Sequence, residues 1–140
     1  MINNPKHFMN SVWNWDCIAD TLPGKLRPAD IDGIIERNGK FLVIETKHPN
    51  NKHIPKGQYI TLKRLHDTGL FTVVIVYGEN DKPDEMDIWY PKDTLFSTWG
   101  QSTGRKKSTT EDFRRLVTWW FKHANKMNAE HVPLKGEYVG

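Results

Sequence analysis

Within DIDGIIERNGKFLVIETK, residues 30–47, charged side chains stand at the ends of two otherwise apolar runs. Asn38 and Gly39 are the residue types that a two-residue type I′ turn demands, because both of its central positions need positive φ. With that turn Arg37 pairs with Lys40, and counting outwards sets Asp32 opposite Glu45 and Asp30 opposite Lys47. Side chains along a strand alternate with period two, so Asp30, Asp32, Glu45 and Lys47 are expected on one face. Directly opposed residues have Cβ atoms about 4.5–5.5 Å apart, which brings the Asp32 and Glu45 carboxylates within reach of a common point. Like charges there repel, and a hard divalent cation between them, Mg²⁺ or Mn²⁺, reverses the repulsion. The competing explanation is an exposed ion pair at a strand end, worth about 0–1 kcal/mol. Position separates the two: the charges stand at the carboxyl end of a strand leading into a helix, where open α/β sheets bind ligands.

The elements that must position these residues follow from the pattern around them. Asn4 and Pro5 fit a cap and first turn, and Phe8, Met9, Val12 and Trp13 then fall at helical spacing, predicting a short N-terminal helix. Pro23 and Gly24 close that region. Strands are expected over 31–36 and 41–47, a loop over 48–57, and a helix over 58–68 with Tyr59, Leu62 and Leu65 on one face and Gly69 just past its end. FTVVIVY, residues 71–77, is the continuous β-branched run of a strand buried on both faces, so 41–77 reads as a βαβ unit. GENDKPDE reads as a polar loop, DIWY as a short strand and 91–108 as irregular. Ser108 and Glu111 fit a capping box for a last helix of about 15 residues, with Phe113, Leu116, Val117 and Trp120 on its apolar face.

The chain has 140 residues, 37% of them hydrophobic, which is enough for one core and predicts one domain over 1–140 with its core at about 5–90 and a C-terminal loop and helix at about 91–128. Twenty basic against 17 acidic residues give a net charge of +3, which permits a nucleic-acid partner without demanding one. The single cysteine, Cys17, excludes an internal disulfide and a cysteine-based zinc site, and it reads as a small buried apolar residue. No apolar run approaches the roughly 20 residues of a bilayer span, and MINNPKHFMNSVW lacks a signal-peptide layout, so the expectation is a soluble cytoplasmic protein with no membrane partner. His48 and His53 stand five apart across a proline-bearing loop, which fits no common metal spacing. Trp119 and Trp120 lie on or beside the apolar helix face, where packing is favoured over base stacking; Trp99 lies in a loop.

An aspartate in one hairpin strand, then Glu45-Thr46-Lys47 in the next, then a helix and a buried strand, resembles the PD-(D/E)xK nuclease superfamily. The similarity covers about residues 5–77, and Gln58 resembles a glutamine of several branches, including virus-type replication-repair and small phage stand-alone nucleases. The resemblance implies an α/β, restriction-endonuclease-like αβββαβ core, a mixed sheet flanked by helices, here with an extra C-terminal helix. There are departures. Pro28 precedes Ala29-Asp30, with Asp32 two residues further on, so either aspartate is open as the metal ligand; the hairpin count favours Asp32, with Asp30 behind it or paired with Lys47. No glutamate precedes Glu36, leaving Asp16 or Asp20 to replace the first-helix glutamate of many relatives. The third strand of the meander would have to come from the segment around Lys25 to Arg27.

The resemblance implies a metal-dependent phosphodiesterase, a deoxyribonuclease and more specifically an endonuclease, in a phage setting within the bacterial cytoplasm. Asp32, Glu45 and the Thr46 backbone carbonyl would hold Mg²⁺ or Mn²⁺, Lys47 would orient water or steady the transition state, and Gln58 would bond the water or the phosphate. Lys25, Arg27, Lys52, His53 and Lys56 flank that centre as candidate DNA-phosphate contacts, with Arg105, Lys106 and Lys107 as a second group. Branched or single-stranded DNA is the suggested substrate, and a homodimer is open. Two alternatives stand beside this: a nuclease-like module that binds nucleic acid or protein without cutting, and a ribonuclease with the same metal site.

Overall fold

The computed structural model describes residues 14–24, 26–91 and 102–126. The chain divides into two compact units, Met1–Asp30 and Ile31–Gly140. In the first, the described part is a single 3₁₀ turn over Asp16–Ile18 that buries none of its residues, which is why Cys17 is exposed and not buried as expected. Trp15, Ile18, Leu22, Leu26, Arg27 and Pro28 line a cavity of about 420 Å³ in this unit. The expected helix over 4–13 and Lys25 fall outside the described residues. Leu26 to Ile31 form no strand, so among the described residues the third strand of the expected meander is missing.

The second unit is an α/β sandwich built on one five-stranded sheet. Its elements are β1 (Gly33–Arg37), β2 (Lys40–Lys47), α1 (Lys56–Asp67), β3 (Phe71–Glu79), β4 (Lys82–Trp89), β5 (Lys106–Lys107) and α2 (Thr110–Lys126). The strands lie in the order β1-β2-β3-β4-β5, with only β2 and β3 parallel. Asn38 and Gly39 have φ of 55° and 79°, the two left-handed residues a type I′ turn requires, and the register is the one counted from the turn, Arg37 with Lys40 through Gly33 with Ile44. Phe71–Glu79 is buried from Thr72 through Tyr77, as its unbroken apolar run requires of a central strand.

Two corrections fall on the second half. GENDKPDE is not a loop: β3 and β4 turn through Asn80 and Asp81 alone, with Asp81 at φ 60°, and β4 already runs from Lys82. A bulge at Tyr77/Gly78 lets Gly78 lie against the Lys82 carbonyl, where a Cβ would sit 2.2 Å from the oxygen. The last helix is capped by Thr109, not Ser108. The Thr109 hydroxyl accepts from the Asp112 amide at 3.1 Å, and the Asp112 carboxylate accepts from the Thr109 amide at 2.8 Å, a reciprocal box shifted by one residue.

The period-two alternation of β2 and β3 divides the core into two faces. Val43, Val73, Ile75 and Tyr77 pack with Leu62 of α1 and with Trp89. On the opposite face Leu42, Val74, Val76 and Met86 pack with Leu116, Trp120 and Ala124 of α2. Glu45 continues the α1 side, two residues beyond Val43, and so enters the layer as a buried charge.

Candidate active site at the carboxyl end of the second strand

Glu45 is 2% exposed, the deepest carboxylate among the described residues. Its environment is built by three elements. The residue before β1 turns its backbone toward β2, so the Asp32 amide donates to Glu45 Oε1 at 3.1 Å. From the first turn of α1, Gln58 Nε2 donates to Glu45 Oε2 at 2.6 Å. Further along β2, Lys47 is half-buried on the same strand face and acts on Glu45 through its charge. Burial nevertheless dominates and holds the Glu45 carboxyl above the usual carboxylate range. The Asp32 charge adds to the rise, while the Asp32 amide, Lys47 and Gln58 oppose it.

The Asp32 carboxylate does not confront Glu45 head-on. Its Oδ2 accepts from the Thr46 amide at 2.9 Å and the Thr46 hydroxyl at 3.0 Å. The expected repulsion is thus relieved by N–H and O–H donors placed on each carboxylate. In a strand the N–H and C=O of one residue leave on the same side, so the Thr46 carbonyl is aimed at the Asp32 end of the hairpin. Among the described residues Asp32 Oδ1 has no hydrogen-bond partner, and neither does the buried Gln58 Oε1. An amide oxygen buried without a donor beside a carboxylate marks a place for a water or ligand donor.

Asp32, Glu45, Thr46, Lys47 and Gln58 are therefore brought together. Asp30 belongs to the first unit, where it is exposed. Arg27 is exposed in that same unit. Lys52, His53 and Lys56 are exposed along the 48–55 connector and the start of α1. His48 Nδ1 accepts from the Asn50 amide at 3.1 Å, a turn contact. Among the described residues no group of three or more His, Cys, Asp or Glu gathers for a metal. Of the second basic group, Lys106 is exposed and Lys107 pairs with Asp84 at 3.3 Å. Arg105 is turned inward, bonded to Glu85 at 3.0 Å.

A groove of about 660 Å³ opens at the carboxyl ends of β2 and β3, lined by Thr46, Lys47, His48, Gly78, Lys82 and Phe113 among others. Sequence reasoning did not point to this groove, because Lys82 and Phe113 come from a hairpin and a helix that only folding brings beside Lys47. Comparison with protein-family models, curated proteins and solved structures gives no match. Fold and geometry define an α/β protein with a mixed open sheet and a charged centre at a strand's carboxyl end. Among the described residues no helix is long and apolar enough to cross a membrane.

Proposed function

We propose that this protein is a divalent-metal-dependent nuclease with a restriction-endonuclease-like core, hydrolysing phosphodiester bonds in DNA. The observation that carries the reading is the buried Glu45, held by Gln58 and the Asp32 amide, with Lys47 two residues on along the same strand face. The residues fit a hard cation. Glu45 is an anion that burial leaves under-compensated, Asp32 Oδ1 has no partner among the described residues, and the Thr46 carbonyl is a third oxygen on the same side. Mg²⁺ is typically held by one or two carboxylates, with waters and substrate oxygens completing its shell. When bound, it would lower the pKa of a water and neutralise charge on the phosphoryl group.

The chain's own residues then have distinct tasks. Asp32 and Glu45 hold the cation, and the donors on them fix their rotamers. Gln58 Oε1 accepts a hydrogen bond from the attacking water while its amide nitrogen stays on Glu45, so water and carboxylate are aligned by one side chain. Lys47 Nζ donates to the phosphate oxygen on which negative charge develops as the P–O bond breaks. Exposed Lys52, His53 and Lys56, in the connector and first turn that follow Lys47, are the cations offered to flanking phosphates. DNA as substrate, and its branched or single-stranded form, rest on the resemblance.

The test is cleavage of linear and circular duplex, single strand, four-way junction and RNA with Mg²⁺, Mn²⁺ or EDTA, with Glu45→Ala and Lys47→Ala alongside. The expected result is metal-dependent cutting of DNA lost in both variants. Cutting confined to RNA would make the protein a ribonuclease with the same centre. Clean wild-type protein that cuts nothing, yet retains nucleic acid or protein, would make it a binding module.

A further inference from the structure

We infer that Arg105 is a positioning residue that holds the two halves of the proposed active site in register; the inference rests on the nuclease reading above. Lys47 ends β2 and Gln58 lies in the first turn of α1, so the connector 48–55 sets the distance between them. Eight residues with prolines at both ends, Pro49 and Pro55, have no regular structure of their own. At the helix end Ile54 packs on the Val43 and Leu62 layer. At the Lys47 end the tie is Arg105. Its Nη1 donates to the Asn51 carbonyl at 2.5 Å, and its Nη2 to the Pro49 carbonyl at 2.6 Å.

The guanidinium is itself fixed. Nη2 also donates to Glu85 Oε1 at 3.0 Å, and Cζ sits 3.6 Å over the centre of the Tyr77 ring. Tyr77 is the β3 partner of Lys47, Glu85 the β4 partner of Tyr77, and Lys107 the β5 partner of Glu85. Arg105 thus lies along one row of the sheet that ends at Lys47, and carries that row's position to the connector. Two carbonyls, a carboxylate and an aromatic face are met by one planar fork; an ammonium offers a point charge and does not reproduce it. With its charge balanced by Glu85 and its donors used on the connector, Arg105 acts through Lys47 and Gln58 and not on phosphate.

The experiment uses the full chain and compares wild type, Arg105→Lys, Arg105→Ala and Glu85→Gln. Hydrogen exchange reads the connector, and steady-state cleavage with Mg²⁺ reads the site. For Arg105→Lys the expected result is amide exchange about tenfold faster over 50–58, with β3 and α2 unchanged. In the same variant kcat should fall about 10- to 100-fold while KM stays within about twofold. Glu85→Gln, which keeps an acceptor, should fall between wild type and Arg105→Lys; that intermediate response keeps the test open if Arg105→Ala does not fold. Unchanged exchange over 50–58, or wild-type kcat in Arg105→Lys, overturns the inference while leaving the nuclease reading standing. A raised KM at constant kcat overturns it too, by making Arg105 a substrate contact. Absence of cleavage by wild type on every substrate removes the nuclease reading and the catalytic part of this one together.

Discussion

The two faces of the sheet use the same strands for opposite ends. On the α2 side, Leu42, Val74, Val76 and Met86 meet Leu116, Trp120 and Ala124, an apolar layer that runs the length of the strands. On the α1 side the layer of Val43, Val73, Ile75 and Leu62 is followed at one end by buried Glu45 and half-buried Gln58, and His66 is buried against Trp89. Gln58 Oε1, His66 Nδ1 and Trp89 Nε1 are buried on this side without partners among the described residues, as is Thr72 Oγ1 on the other, and of these Gln58 is the one bonded to Glu45. Unsatisfied polar atoms cost about 1–3 kcal/mol each, so a chain keeps them where a ligand or water is to be met. Both faces supply cohesion, and on the α1 side the unpartnered Gln58 Oε1 stands beside Glu45, where chemistry is proposed.

Substitutions on the two faces should separate along the same line. Glu45→Ala is expected to lower metal-dependent cleavage by about 10³-fold or more, roughly 4 kcal/mol of transition-state stabilisation, with the urea midpoint little changed. A large loss of stability in that variant would make Glu45 a structural residue. Trp120→Ala, 2% exposed on the other face, should cost about 3 kcal/mol or more in urea unfolding while the surviving folded fraction keeps its specific activity. Gly78→Ala should cost about 1–3 kcal/mol, because its Cβ would meet the Lys82 carbonyl at 2.2 Å and the bulge would have to open.

The smallest effect is the most specific to the site. Burial raises the Glu45 carboxyl, so between its unfolded and folded pKa values the native chain holds a proton that the unfolded chain has released. The stability from this group is therefore full below the unfolded pKa and falls as pH rises through the folded one. Glu45→Gln should remove that fall, so that thermal melts of variant and wild type diverge as pH rises above the unfolded carboxylate pKa of about 4. Mg²⁺ competes with that proton, so it should raise the wild-type melting temperature more at pH 8 than at pH 5, and Glu45→Gln not at all. Equal Mg²⁺ effects at both pH values would place the cation elsewhere.

Much of this was legible in the chain. Asn-Gly between two apolar runs fixed a hairpin register to the residue, because only those types take positive φ at both turn positions cheaply, and period two then put Glu45 on the α1 face. The unbroken FTVVIVY run fixed a central strand. The β3–β4 hairpin was not legible, because Asn80-Asp81 sits within a polar segment and Lys82-Pro83-Asp84-Glu85 lacks the apolar alternation of a strand. The cap at Thr109 was missed because Ser108 and Glu111 satisfy the same spacing rule as Thr109 and Asp112, and only tertiary placement chooses between them.

The sequence by itself thus determined which residues could meet across the hairpin, since register is a local property of turn and alternation. The tertiary structure decided how they meet. Asp32 gives Glu45 its amide and turns its carboxylate to Thr46, Gln58 reaches back from a helix 13 residues on, and Arg105 reaches the connector from 54 and 56 residues away. Those contacts depend on how the elements pack around the sheet, and no short-range pattern encodes a partner that far along the chain.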